Sequence, residues 1–137
     1  MSTSDAKALT EAAFAAWRRG EGDVFSLLAD DVRWTITGSS AIAGTYTDRA
    51  RFLAAAIAPI SARLAEPIRP EVRSVVAEGD RVVVLWDGHA VAHDGGAYDN
   101  TYSWHLRFAG PTVVEVVAFF DAAPLDDLFA RVAPTTG

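Results

Sequence analysis

The second half of the sequence alternates β-strand patterns with tight turns, and this alternation constrains the fold more than any other feature. Segments rich in β-branched and aromatic residues occupy positions 72–77, 81–93, 98–108 and 113–120. The turns between consecutive segments contain Gly79, Gly95 and Gly110, and glycine favours the tight connections of hairpins. Three consecutive hairpins predict an antiparallel meander of four strands.

The rest of the sequence is mainly helical, because apolar residues recur there at intervals of three and four. The predicted elements are helices at 5–19, 23–29 and 124–132, a strand at 32–37, and a longer helix that starts at residue 47 or 48. Within the longer helix, Leu53, Ile57 and Ile60 share one apolar face. Pro59 is expected to kink or break this helix near Ala58, because a proline ring clashes with the carbonyl group one turn earlier.

The length of the chain limits the number of domains. The chain has 137 residues, half of them apolar, which is enough for one compact domain and too few for two. We therefore expect residues 1–137 to form a single domain. Helices followed by an antiparallel meander predict the α+β class, with the helices packed against one sheet.

Charge, hydropathy and residue types argue against several kinds of partner. Twelve Lys and Arg residues against eighteen Asp and Glu give a net charge of −6, and the cations are dispersed, so we expect no nucleic-acid partner. No apolar run approaches the ~18 residues that cross a bilayer, so we expect no membrane association and a cytoplasmic location. The chain has no cysteine, and His89, His93 and Asp94 could converge on a metal only in an irregular strand. We therefore expect neither a metal site nor another cofactor.

Two of the strand segments are apolar on both faces. Residues 82–86 read Val-Val-Val-Leu-Trp, and the segment 113–120 contains a single charged residue, Glu115. Both faces of such a strand need cover, whereas the predicted helices suffice for only one face. We therefore expect the outer face of the sheet to be buried in a homodimer.

One face of the segment 98–108 combines aromatic rings with polar groups. Alternation places Tyr98, Asn100, Tyr102 and Trp104 on the same side of the strand. A phenol, a carboxamide and an indole N–H each need a hydrogen-bond partner when they are buried. Either a molecule bound in a pocket supplies those partners, or neighbouring core groups and the surface at the strand ends do. We favour the pocket.

The order of the elements and several short motifs resemble those of a known superfamily. The motifs are Trp17-x5-Asp23, Leu28-Ala29-Asp30-Asp31-Val32-x-Trp34, Ala43-Gly44-Thr45-Tyr46, Glu78-Gly79-Asp80-Arg81-Val82, Tyr98-x-Asn100-x-Tyr102 and Phe119-Phe120-Asp121. Together they resemble the nuclear-transport-factor-two-like superfamily and, within it, the SnoaL-like, ketosteroid-isomerase-related proteins. The resemblance implies a cone-shaped, curved antiparallel sheet wrapped around N-terminal helices, with an apolar pocket inside.

The catalytic residues of two characterised branches of this superfamily do not carry over to the chain. The oxyanion-hole tyrosine of ketosteroid isomerases falls on Phe14, their general-base aspartate near Ile36, and their protonated acid near Trp104. Steroid isomerisation is therefore not expected. The catalytic polar residues of limonene epoxide hydrolases fall on positions that include Asn100 and Tyr102, so that mechanism is not expected either.

One acidic residue matches a catalytic position of the SnoaL-like polyketide cyclases. In those enzymes an aspartate near the end of the last long strand serves as acid and base, and Asp121 resembles it. The alternative is that Asp121 caps the turn that follows. Its facing depends on the hairpin register, because one register sets Asn100 opposite Asp121 on the pocket face, whereas a slip of one residue turns Phe120 inward. The resemblance to the isomerases favours Val116, Ala118 and Phe120 inward.

The expected ligand pocket combines the aromatic face of the segment 98–108 with residues of the first half and of the last strand. Its residues are Phe14, Trp17, Trp34, Ile36, Trp86, Asn100, Tyr102, Trp104, Val116, Ala118 and Phe120. The expected ligand is a small, largely apolar cyclic metabolite such as a polyketide or terpenoid. Three functions remain as alternatives: a cofactor-independent cyclase, isomerase or hydratase that uses Asp121, a non-catalytic binding protein, and a dimerisation module with no ligand.

Overall fold

Six strands form one open sheet in the computed structural model, which describes residues 2–135. In chain order the strands are β1 (Leu28–Ile36), β2 (Gly44–Tyr46), β3 (Leu64–Glu78), β4 (Arg81–Ala92), β5 (Ala97–Ala109) and β6 (Thr112–Phe120). They lie side by side in the order β2-β1-β6-β5-β4-β3. Strands β1 and β6 are parallel, and every other neighbouring pair is antiparallel. The predicted meander is β3 to β6, and the predicted α+β class is confirmed.

Helices precede, interrupt and follow the strands. They are α1 (Thr3–Arg18), a 3₁₀ turn (Val24–Leu27), α2 (Arg49–Phe52), a π-helical segment (Leu53–Ile57), α3 (Ala58–Ser61) and α4 (Ala122–Arg131). A capping box starts α1, because the Ser2 hydroxyl accepts a hydrogen bond from the backbone N–H of Asp5 and the Asp5 carboxylate accepts one from the N–H of Ser2. No helix within residues 2–135 combines the length and the apolar character needed to cross a membrane.

The predicted helix at 23–29 is wrong beyond its first turn. The Asp23 side chain accepts a hydrogen bond from the Phe25 N–H at 2.9 Å and starts a single 3₁₀ turn. From Leu28 onward the backbone belongs to β1, where Leu28 is aligned with Val113 of β6. Pairing with a distant strand therefore overrides the local helical pattern. Strand β2 was not predicted, because three residues are too few to show a periodicity.

The helix that contains Pro59 continues past the proline instead of ending. A π-helical segment lies directly before α3, and the N–H of Ala58 bonds to the carbonyl of Leu53, five residues earlier. A π turn is one of the recognised ways in which a helix absorbs an irregularity of this kind. The disturbance predicted near Ala58 is present as this wider turn, and Phe52, Ala56 and Ile60 remain buried on one side of the stretch.

Strand β3 is longer than its apolar pattern predicts. The expected start at residue 72 is wrong, since the strand begins at Leu64 and includes Pro67 and Pro70. It lies at the edge of the sheet, where a residue without a backbone N–H can face away from the neighbouring strand. Its pairing with β4 also shifts register at three places between Leu64 and Ser74, which bends the strand locally.

Candidate functional site

A cavity of about 440 Å³ lies between the inner face of the sheet and the helical stretch α2–α3. Its wall includes eight of the side chains that the sequence placed in a pocket: Trp17, Trp34, Ile36, Trp86, Tyr102, Trp104, Ala118 and Phe120. The opposite wall carries an apolar face of the helical stretch, with Leu53, Ile57 and Ile60. The helical periodicity predicted that these three residues share one side of the helix. It did not indicate that this side lies opposite Trp104 and its neighbours on the sheet.

Three residues expected in the lining lie elsewhere. Phe14 is 1% exposed and Val116 is fully buried, and neither contributes to the cavity wall. The Phe14 ring instead packs with its centroid 5.5 Å from that of the Trp86 ring. The amide of Asn100 is used within the protein, because its Nδ2 donates to the carbonyl of Asp121 at 2.9 Å and its Oδ1 accepts from the Asp121 N–H at 3.3 Å. Asn100 therefore holds the end of β6 and does not face the cavity.

The register between β5 and β6 decides which side chains of β6 face inward. Tyr102 is aligned with Phe120 and Trp104 with Ala118, so Ala118 and Phe120 lie on the same side of the sheet as the aromatic face. This is the orientation that the family resemblance favoured. The register in which Asn100 faces Asp121 is wrong, because a bulge leaves Val114 without a partner on β5.

Asp121 lies at the end of β6 and is exposed. It is the N-cap residue of α4, and its carboxylate accepts a hydrogen bond from the backbone N–H of Ala123 at 3.1 Å. It is absent from the cavity wall. The position matches the capping alternative, since a carboxylate at this point satisfies one of the free N–H groups of the first helical turn.

Two indole N–H groups in the cavity wall have no hydrogen-bond partner among the described residues. They belong to Trp34 and Trp86, which are 2% and 1% exposed. Each ring is fixed by stacking, Trp34 on Phe52 and Trp86 on Tyr102, with ring centroids 4.1 Å apart in both pairs. A buried donor without a partner destabilises the protein by roughly 1–3 kcal/mol. These two indole N–H groups are therefore unsatisfied donors within the described residues.

The hydroxyl groups of Tyr98 and Tyr102 also line the cavity and lie 3.5 Å apart. This separation is at the long limit for a hydrogen bond between hydroxyls, so each oxygen keeps capacity for another partner. Burial raises the pKa of Tyr98, and burial raises the pKa of Tyr102 well above its ordinary value. Both phenols are therefore neutral hydrogen-bond donors at physiological pH. The alternation along β5 placed Tyr98 on this face, although it was not among the expected pocket residues.

Two charged residues in the cavity wall, Asp23 and Arg49, were not among the expected pocket residues. Both are tied to the 3₁₀ turn, because the Arg49 Nε donates to the carbonyl of Phe25 at 3.1 Å and the Asp23 carboxylate accepts from the Phe25 N–H. These contacts depend on how α2 packs against the 3₁₀ turn, and no local sequence pattern predicts such packing.

Comparison with known proteins places this fold and site in a family. The model of the SnoaL-like domain matches residues 10–116. The chain belongs to the SnoaL-like domain family. No curated protein matches it significantly.

Solved structures confirm the overall shape expected for a SnoaL-like protein. An NTF2-like protein of unknown function from Burkholderia pseudomallei K96243 has a TM-score of 0.76 at 23% identity, with 93% of this chain and 98% of that chain covered. Bal32a, from a soil-derived mobile gene cassette, has a TM-score of 0.76 at 18% identity and the same coverage. TerC, co-crystallised with polyporic acid, has a TM-score of 0.71 at 20% identity, with 93% and 99% covered. The similarity to NTF2-like structures confirms the cone-like α+β fold.

Proposed function

We propose that this SnoaL-like protein binds a small, largely apolar cyclic molecule in the cavity. The observation that carries the proposal is the cavity itself, about 440 Å³ and lined mainly by aromatic and aliphatic side chains. Ligand sites in proteins have this character, with volumes of roughly 300–1,000 Å³ and a few polar groups that fix orientation. A packed core would not leave this volume open. The cavity therefore favours a ligand over a dimerisation module without one.

The proposed ligand would be held by ring contacts and oriented by the two tyrosines. Trp17, Trp34 and Trp104 offer flat apolar surface, which favours a ring system because of its large contact area. The hydroxyls of Tyr98 and Tyr102 can donate hydrogen bonds to a carbonyl or hydroxyl oxygen of the ligand. One structural neighbour, TerC, was co-crystallised with polyporic acid, and by analogy we propose a small-molecule ligand here.

The geometry favours binding without catalysis over the Asp121-dependent reactions. An acid–base carboxylate must come within hydrogen-bond reach of the reacting proton, whereas the Asp121 carboxylate caps α4 outside the cavity wall. The cyclase, isomerase and hydratase alternatives require Asp121 in the cavity, and Asp121 does not line it. A non-catalytic binding protein is the function that the site supports best.

A binding titration with a neutral fluorescent probe tests the proposal. N-phenyl-1-naphthylamine, whose emission rises in apolar surroundings, is expected to bind saturably to the purified protein. The substitution Ala118→Trp fills the cavity, because Ala118 is 1% exposed and lies in its wall, and it should weaken binding at least tenfold. The control Ala15→Trp makes the same change at an exposed position of α1 and should leave the affinity unchanged. Equal binding by both variants, each checked for folding by circular dichroism, would contradict a ligand in the cavity.

We also propose that the outer face of the sheet binds a second copy of the chain. Register and alternation place five apolar side chains on that face, on either side of Ser103 and His105 of β5, and we call them the outer apolar band: Val76, Val83, Leu85, Val117 and Phe119. Val76 is 62% and Phe119 47% exposed in the single chain. Ion pairs border the band, Arg73 with Asp87 on one side and Arg107 with Glu115 on the other. A mainly apolar patch with a charged rim resembles the composition of a stable interface.

A further inference from the structure

Arg49 is the one basic side chain among the described residues that line the cavity. It is the first residue of α2 and is half-buried. A single hydrogen bond holds it, from Nε to the carbonyl of Phe25 at 3.1 Å. Within residues 2–135 it forms no salt bridge, and its two terminal nitrogens have no hydrogen-bond partner. The guanidinium therefore brings unpaired donors and an uncompensated charge to an apolar cavity.

A comparison with Arg63 shows what a structural arginine looks like in this fold. Arg63 is also half-buried, but it donates from Nε to the carbonyl of Val132 at 2.9 Å and from Nη1 to the carbonyl of Pro59 at 2.8 Å. Its guanidinium also lies 3.9 Å from the centre of the Phe129 ring. The Arg63 guanidinium thus makes two hydrogen bonds and one aromatic contact within the protein. The terminal nitrogens of Arg49 make no such contact with the described residues and are available to another partner.

Asp23, the one acidic side chain among the described residues that line the cavity, makes a different contact. Asp23 lines the same cavity, but its carboxylate accepts the N–H of Phe25 at 2.9 Å and caps the 3₁₀ turn. It forms no salt bridge with Arg49 in the part of the chain that the structure describes. An anion that enters the site can pair with the terminal nitrogens of Arg49.

We propose that Arg49 binds a carboxylate group of the ligand, so the ligand class is a ring compound that carries an acidic group. The guanidinium presents paired N–H donors in a planar fork, which matches the two oxygens of a carboxylate. This inference rests on the proposed binding function, since it assigns the chemistry of the same cavity. It adds that the ligand is an anion at neutral pH rather than a neutral apolar molecule.

The proposed ligand has a direction within the cavity. Arg49 starts the helical stretch and Ser61 ends it, about 18 Å farther along at ~1.5 Å per residue, and both line the cavity. Beyond Ser61, the carbonyl of Arg63 accepts a hydrogen bond from the N–H of His93, next to the β4–β5 hairpin that carries Tyr98. The acidic group therefore lies at the Arg49 end of the cavity, and Tyr98 lies toward the opposite end.

Displacement of bound N-phenyl-1-naphthylamine by two matched competitors tests this inference. The competitors are 2-naphthoate and its neutral analogue 2-naphthamide, which differ in charge and little in shape. With the wild-type protein, 2-naphthoate should displace the dye at a concentration at least about tenfold lower than 2-naphthamide, because hydrogen bonds to charged groups are the stronger ones. In Arg49→Gln the ratio of the two concentrations should fall to about one.

Two further variants separate a ligand contact from a general effect on stability. Arg51→Gln removes a neighbouring arginine whose side chain is 80% exposed and which lies outside the cavity wall, so the ratio should stay at the wild-type value. Arg49→Lys keeps the charge but loses the fork, so the ratio should fall at least about threefold and stay above one. If Arg49→Gln does not fold, the lysine variant alone decides the test.

The outcomes distinguish this inference from the proposed function. A ratio near one in the wild-type protein, or an unchanged ratio in the Arg49 variants, overturns the carboxylate contact. If the dye still binds in a manner that Ala118→Trp abolishes, the cavity remains a ligand site for neutral molecules. If Ala118→Trp has no effect on the dye, the proposed function itself fails.

Discussion

At the scale of single residues, the cavity contains phenols whose ionisation is linked to folding. Tyr102 stacks on Trp86, and burial raises the pKa of its hydroxyl well above the ordinary value. A raised pKa means that the folded state holds the proton more tightly than the unfolded state. The stabilisation is fully present below the unfolded pKa of about 10, and it is lost as pH rises from there toward the folded pKa.

The substitution Tyr102→Phe should therefore make the protein less sensitive to alkali. Phenylalanine keeps the stacked ring and has no ionisable group, so the loss of stability between pH 8 and pH 10.5 should be smaller than in the wild-type protein. Urea unfolding at the two pH values measures the difference. Tyr46→Phe is the comparison, because burial raises the pKa of Tyr46 in the same direction but less than that of Tyr102, so its effect on the pH dependence should be smaller. An identical pH dependence in wild type and Tyr102→Phe would contradict the linkage.

At the scale of secondary-structure elements, Asp121 connects β6 to α4. Its carboxylate caps the helix, and the substitution Asp121→Ala should lower the free energy of unfolding by about 1 kcal/mol. The affinity for N-phenyl-1-naphthylamine should not change, because Asp121 lies outside the cavity wall. Thermal unfolding and dye titration measure the two effects. Asp31→Ala, at an exposed position of β1, is the control for loss of a carboxylate. A large loss of dye affinity in Asp121→Ala would contradict this prediction and indicate that Asp121 contributes to the site.

The periodicity of apolar residues predicted the helices and strands better than it predicted their tertiary contacts. Alternation along β5 placed Tyr102 and Trp104 on the cavity side, because a strand repeats every two residues. Phe14 was assigned to the lining through the resemblance to the isomerases, and a matched position in the chain does not fix the depth of a residue within the packed layers. The bulge at Val114 and the contact between Arg49 and Phe25 had no local signature. Both depend on tertiary packing, which is why the charged end of the cavity could not be predicted from the sequence.

At the scale of the whole molecule, the outer apolar band predicts that the protein is dimeric. Val83 lies in the interior of the band, between Val76 on β3 and His105 on β5. The substitution Val83→Lys should convert a micromolar dimer into a monomer, because an unpaired charge in a buried interface is strongly unfavourable. Sedimentation velocity measures the change, with Ala54→Lys, exposed on the helical stretch, as the control. A wild-type monomer at the same concentration would contradict the proposed dimer.

The parallel pairing of β1 with β6 has a consequence for how the chain is made. Trp34 is aligned with Val116, so about 80 residues must leave the ribosome after β1 before its neighbour exists, and contacts so distant in sequence slow folding. Until then one edge of β1 is open and the tryptophans of the cavity wall are not yet covered, a situation that favours aggregation. Helix α1 and the hairpins of β3 to β5 can form during synthesis. The six-stranded sheet is complete only when β6 inserts between β1 and β5.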